Sequence, residues 1–159
     1  MFSFVLGPRV YHGSIDYLPY DANDGIAQVN PITPNTTTAQ LYQHLIPLNE
    51  PISTDPSTSK WRRIDGPFAH VLITSKPALS RDVISTPQST LADGYLTLQF
   101  IRSAGLTRVN LAKAFTSLSD GTHFDYEFVE HMPVRAFRIV PDGTEGNMMV
   151  DGEKVPYGK

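Results

Sequence analysis

Hydrophobic and polar positions follow two different periods along this chain, and one long stretch follows neither. In Tyr95-Leu96-Thr97-Leu98-Gln99-Phe100-Ile101, Leu96, Leu98 and Phe100 fall on one side and Thr97 and Gln99 on the other. That alternation is the period of a half-buried strand. Residues 68–74 read as another β-run, and residues 10–12 and 14–18 as one or two short strands around Gly13, the second stopped by Pro19. Residues 124–129, 134–140 and 147–150 give three more, separated by turn residues. The helical period appears where Thr107 is placed to cap a helix running to about Ser119, with Leu111, Phe115 and Leu118 on one face. Many strands with one principal helix predict a mainly β domain, an antiparallel sandwich or closed sheet with the helix packed on it. On periodicity alone, Leu111, Phe115 and Leu118 are core positions.

Residues 21–60 have no period. They are rich in Pro, Thr, Ser, Asn and Asp, a composition that buries too little apolar surface to offset the entropy of ordering it. The expectation is a long flexible insertion, with a short helical turn over residues 41–46, between leading strands in 1–20 and the rest of one domain in 61–159.

Near the end, Val150-Asp151-Gly152-Glu153-Lys154-Val155 reads as a strand running into a tight turn and out again. Gly accepts positive φ without steric cost, so Asp151-Gly152 supplies the turn. Asp151 and Glu153 then project from one short hairpin. Taken alone, such a turn is a solvated one.

Composition narrows the possibilities. The chain has 159 residues, enough for one domain with a core, and its 40% hydrophobic and 18% charged residues are ordinary for a globular protein. A net charge of −3 gives no electrostatic case for nucleic acid. The absence of cysteine excludes disulfides and thiolate chemistry. No apolar run approaches a membrane span, and the first residues lack a signal-peptide pattern, so the expected location is cytoplasmic. The histidines at 12, 44, 70, 123 and 131 show no metal-ligand spacing, and no serine sits in a G-x-S-x-G elbow. Arg62-Arg63 read as a solvated pair at a strand start.

Six segments, in order, carry a resemblance. They are the run opened by Trp61 with Phe68 and Val71-Leu72; Ala92-Asp93-Gly94-Tyr95-Leu96-Thr97-Leu98; Ile101-Arg102-Ser103-Ala104-Gly105-Leu106-Thr107-Arg108; Gly121-Thr122-His123-Phe124; Met132-Pro133-Val134-Arg135-Ala136-Phe137-Arg138; and Val150-Asp151-Gly152-Glu153. Tyr11-His12-Gly13-Ser14-Ile15-Asp16-Tyr17-Leu18-Pro19 adds a seventh. Together they resemble the C-terminal lipid-binding region of the sphingosine kinases, within the wider family of diacylglycerol and sphingosine lipid kinases. The resemblance implies a β-rich domain with a curved apolar tunnel for one long chain, lined by Leu72, Leu79, Phe100, Leu111, Phe115, Leu118 and His123. It implies that Asp151, Gly152 and Glu153 lie on the nucleotide side. It implies transfer of a phosphoryl group from ATP, with Mg²⁺, to the primary hydroxyl of sphingosine. It also implies a related long-chain base as alternative substrate, transient recruitment to a membrane surface, and room for a homodimer. Ceramide or diacylglycerol kinases, and a non-catalytic lipid-binding fragment, are the rival readings.

One departure stands out. Asp-Gly recurs at Asp24, Asp65, Asp93, Asp120, Asp142 and Asp151, yet none is preceded by Gly, so the family's G-D-G catalytic turn has no counterpart. No cluster of glycines between a strand and a helix offers a nucleotide loop. The expectation is therefore a chain without catalytic residues or metal ligands of its own, truncated at both ends relative to a full kinase, lacking the N-terminal nucleotide-binding domain and inactive alone.

Overall fold

The computed structural model describes residues 10–20, 59–91, 93–144 and 146–157. The expected insertion over residues 21–60, with its helical turn over 41–46, lies outside them except for its last two residues. In chain order the elements are β1 (Gly13–Pro19), β2 (Arg62–Asp65), β3 (Phe68–Thr74), β4 (Ala78–Ser80), β5 (Val83–Ile84), β6 (Leu96–Arg102), α1 (Arg108–Thr116), β7 (Glu130–Pro141), β8 (Met148–Val150) and β9 (Glu153–Val155). Two 3₁₀ turns, Ser117–Ser119 and Thr122–Asp125, follow α1. The domain is mainly β and antiparallel, with one principal helix.

Five strands make one sheet in the order β2-β1-β7-β6-β3, while β4-β5 and β8-β9 are separate hairpins. The sheet curls until its edge strand β3 meets the approach to β1. There Tyr11 and Phe68 exchange backbone hydrogen bonds, each N–H donating to the other's carbonyl at 2.8 Å, and the Gly66 N–H donates to the Gly13 carbonyl at 2.8 Å. Gly13 also lies tight against β7: its φ is +147°, and a Cβ there would stand 2.4 Å from the Val140 carbonyl oxygen.

Both faces of the curled sheet are covered. On the inner face Ile15, Ile64, Phe68, Leu98, Phe100 and Val134 form the main core, with Phe68 edge-on to Phe100 at 5.8 Å. Large apolar side chains buried like these contribute about 1.5–3 kcal/mol each. On the outer face Ile101, Leu111, Ala114 and Val129 pack with Phe124, Tyr126 and Phe128. The helix starts where expected, the Thr107 hydroxyl accepting from the Asn110 N–H at 3.1 Å. It ends early, because the Thr116 and Ser117 hydroxyls donate back to the Ala112 and Lys113 carbonyls and the chain tightens into a 3₁₀ turn.

Two expectations are corrected. Strand β6 is buried on both faces rather than one: Thr97 and Gln99 are only 6% and 3% exposed. Thr97 meets the Ser89 hydroxyl at 3.1 Å. Residues 124–129 are not a strand. Gly121 turns the chain at φ +79°, and Asp120 accepts from the Thr122 N–H and hydroxyl at 3.1 and 2.8 Å, starting a 3₁₀ turn. The alternate aromatics Phe124, Tyr126 and Phe128 mimic a strand period but pack against the helix cluster. The short β2, β4 and β5 carry too few residues to show a period.

Candidate lipid cleft

A cavity of about 870 Å³ opens between β3, the start of β1, the far end of β7, one side of α1 and the β8-β9 hairpin. Its wall is mostly apolar and includes Leu72, Leu111, Phe115, Phe137, Met148 and Val150. His70, Arg108 and Asp151 supply polar groups. Leu72 is paired directly with Gln99 of β6, and Gln99 with His131 of β7, so these three side chains form one row across the sheet. Phe115 lies edge-on to His70, ring centroids 5.7 Å apart. Burial pushes the His70 imidazole below its usual pKa, and the nearby His123 adds to the shift.

His123 is 1% exposed. A carbonyl can only accept, so its Nε2–H donates to the Ser85 carbonyl at 3.2 Å. Burial lowers its pKa too, against the hydrogen bond to the Ser85 carbonyl that raises it. The Gln99 side-chain oxygen is buried and has no hydrogen-bond partner.

The hairpin turn carries Asp151 at φ +50° and Gly152 at φ +87°. Two successive residues at positive φ make the two-residue turn that suits the twist of flanking strands, and Asp-Gly is a favoured pair for it. Asp151 and Glu153 are exposed. Among the described residues no group of three or more His, Asp or Glu side chains is placed to hold a metal ion. An Mg²⁺ carried by a nucleotide needs less, since one or two carboxylates serve it beside phosphates and water. The two acidic side chains of this turn fit that donor set.

Of the residues singled out in the sequence, the cavity wall brings together Leu72, Leu111, Phe115 and Asp151. The others stand apart from it. Phe100 is wholly buried on the inner face, and Leu79 is 53% exposed on β4. Leu118 is half-buried in the first 3₁₀ turn, and His123 lies in the second. Gly152 and Glu153 follow Asp151 around the turn. His70, Arg108, Phe137 and Met148 escaped the sequence reading. Phe137 and Met148 sat in runs already read as strands, and nothing local marks a cavity wall.

No protein-family model matches the chain. It is 30% identical over 148 residues to sphingosine kinase 1 of Mus musculus, covering 91% of this chain and 36% of that protein. Sphingosine kinase 1 of Homo sapiens matches with the same identity and coverage. The chain is related to the sphingosine kinases. Sphingosine kinase B of Dictyostelium discoideum is 35% identical over 115 residues, covering 70% of this chain and 15% of that protein. The chain thus spans about a third of the length of the two sphingosine kinase 1 relatives. Among the described residues no helix is long and apolar enough to cross a membrane.

Proposed function

We propose that this chain is the lipid-binding part of a sphingosine kinase, the C-terminal region of an enzyme that phosphorylates the primary hydroxyl of a long-chain base. The observation that carries the reading is the shared wall: Leu72, Leu111 and Phe115 line the same cavity as Asp151. An amphipathic substrate needs that juxtaposition, an apolar slot ending near charge.

The alkyl chain of sphingosine lies against Leu72, Leu111 and Phe115, each buried methylene contributing about 0.8 kcal/mol. The hairpin presents Asp151 and Glu153, which would ligate the Mg²⁺ of Mg·ATP directly or through water. The metal, when bound, neutralises charge developing on the phosphates. The sequence has no G-D-G turn to supply a general base, so the chain binds lipid but does not transfer phosphate by itself. Drawing its lipid from a membrane surface follows from the insolubility of the substrate. Arg62 and Arg63 do not serve that step, since they bind the Ser59 and Trp61 carbonyls and the Asp16 carboxylate.

The test is calorimetric titration of the purified chain with sphingosine, beside ceramide and diacylglycerol. Saturable binding of the single-chain base, with weaker binding of the two-chain lipids, is expected. A preference for a two-chain lipid would reassign the chain to another lipid kinase, and no lipid binding would overturn the reading.

A further inference from the structure

Resting on that reading, we propose that His70 gates the cavity by protonation: the slot takes an alkyl chain while this imidazole is neutral and rejects it when the ring is charged. His70 sits in β3 and lines the cavity together with Leu72, Leu111 and Phe115, the side chains given to the alkyl chain. Its ring stands edge-on to Phe115 with centroids 5.7 Å apart, so a chain laid on that phenyl ring passes beside the imidazole. Among the described residues no protein group hydrogen-bonds either ring nitrogen. A neutral imidazole tolerates such a place, because it carries no charge to hydrate. An imidazolium carries a charge and two N–H donors, and an alkyl chain against it strips both of water without replacing it.

The groups around His70 set the direction. From β6 its pairing partner is Ile101, and Arg102 at the end of that strand is bound to Glu130. From α1 it meets Phe115, with Arg108 on the same cavity wall. The second 3₁₀ turn brings His123, whose charge opposes that of His70 and which itself feels Asp120 and His131. Asp151 of the hairpin and His12 on the approach to β1 also line the cavity, and both are exposed. The wall already disfavours the charged ring, since burial holds the His70 pKa below its usual value. A chain that excludes the remaining water acts in the same sense. Proton and lipid then compete, and the competition is reciprocal.

The experiment titrates the imidazole resonances of the chain by NMR, with and without saturating sphingosine, His70 being identified by its absence in His70→Gln or, should that variant not fold, His70→Leu. Bound sphingosine is expected to lower the His70 midpoint. Calorimetry from about pH 7.5 downward, with melts showing that the chain is folded at each pH, reads the same coupling as affinity. Apparent affinity follows the neutral fraction, so below the His70 midpoint it falls toward about tenfold per pH unit. The lipid's own amine titrates equally with parent and variant, so their difference isolates His70. The folded His70 variant should lose the fall, and His12→Gln should keep it. A His70 midpoint unmoved by bound sphingosine, or a fall unchanged in the folded His70 variant, overturns the gate while leaving the lipid site standing. No binding of sphingosine by the parent at any pH overturns both.

Discussion

Asp16 and Arg138 stand directly opposite each other on β1 and β7, and the arginine holds the buried carboxylate at 2.7 Å from a distance of 122 residues along the chain. Arg63 takes the same carboxylate from β2 at 2.6 Å. Three strands are thereby joined at one side chain that is itself wholly buried, with half-exposed arginines on either side. Burial pushes the Asp16 pKa up, but the hydrogen bonds and charges of Arg63 and Arg138 outweigh it and leave the pKa below its usual value. A carboxylate depressed in the folded state stabilises above its unfolded pKa of about 3.9, and that contribution disappears as pH falls through the folded value. Asp16→Asn is expected to lower stability at pH 7 by about 1–3 kcal/mol, because both arginines can rehydrate once released. It should also flatten the acid limb of the stability curve below about pH 4. Urea unfolding of parent and variant from pH 3 to 7 measures both, and parallel curves would show that the pair does not form.

Gly13 is the second fixed point of the sheet. An alanine there would place its Cβ 2.4 Å from the Val140 carbonyl oxygen at a backbone angle of +147°. The contact is with backbone, which cannot rotate away. Gly13→Ala is expected to cost more than about 2 kcal/mol, far above an ordinary surface substitution. A denaturant midpoint unchanged from the parent would mean that the β1-β7 ladder yields there.

The sequence carried the strands that alternate and the helix that is capped, because those signals are local. Phe68–Thr74 and the Thr107 cap were legible for that reason. The Asp16 cluster was not, since its partners lie 47 and 122 positions away. Nor was the double burial of β6, because whether Gln99 faces water or a helix is settled by what packs over it. The cavity wall divides the same way. Leu111 and Phe115 share a helix face that periodicity finds, whereas Arg108 and Met148 reach the cavity only through the way α1 and the last hairpin pack.

The two lowered histidines give the chain a second pH response. His70 and His123 stay neutral in the folded state when the unfolded chain, with a histidine pKa of about 6.5, already takes up protons. Stability from this source is full above about pH 7 and declines as pH falls below 6.5. His70 faces Phe115 of α1 and pairs across the strands with Ile101, so no carboxylate among these neighbours offsets its charging. His70→Gln should flatten the decline between pH 7 and 5, which thermal melts across that range would register.

The hairpin allows charge and geometry to be separated in the nucleotide role proposed for it. Asp151 sits at φ +50° and Gly152 at φ +87°. Asparagine is as welcome as aspartate at such a position, so Asp151→Asn should leave the turn intact and the melting temperature nearly unchanged. Gly152→Ala keeps both carboxylates but forces a Cβ into the left-handed region, at about 1–2 kcal/mol. If Asp151 ligates the nucleotide's metal, only the first substitution should abolish a magnesium-dependent component of ATP binding to the folded chain. The second should lower hairpin stability first, and ATP binding only as far as the turn frays. Identical losses from both substitutions would place the effect in the shape of the turn, and the role given to the Asp151 charge would fall.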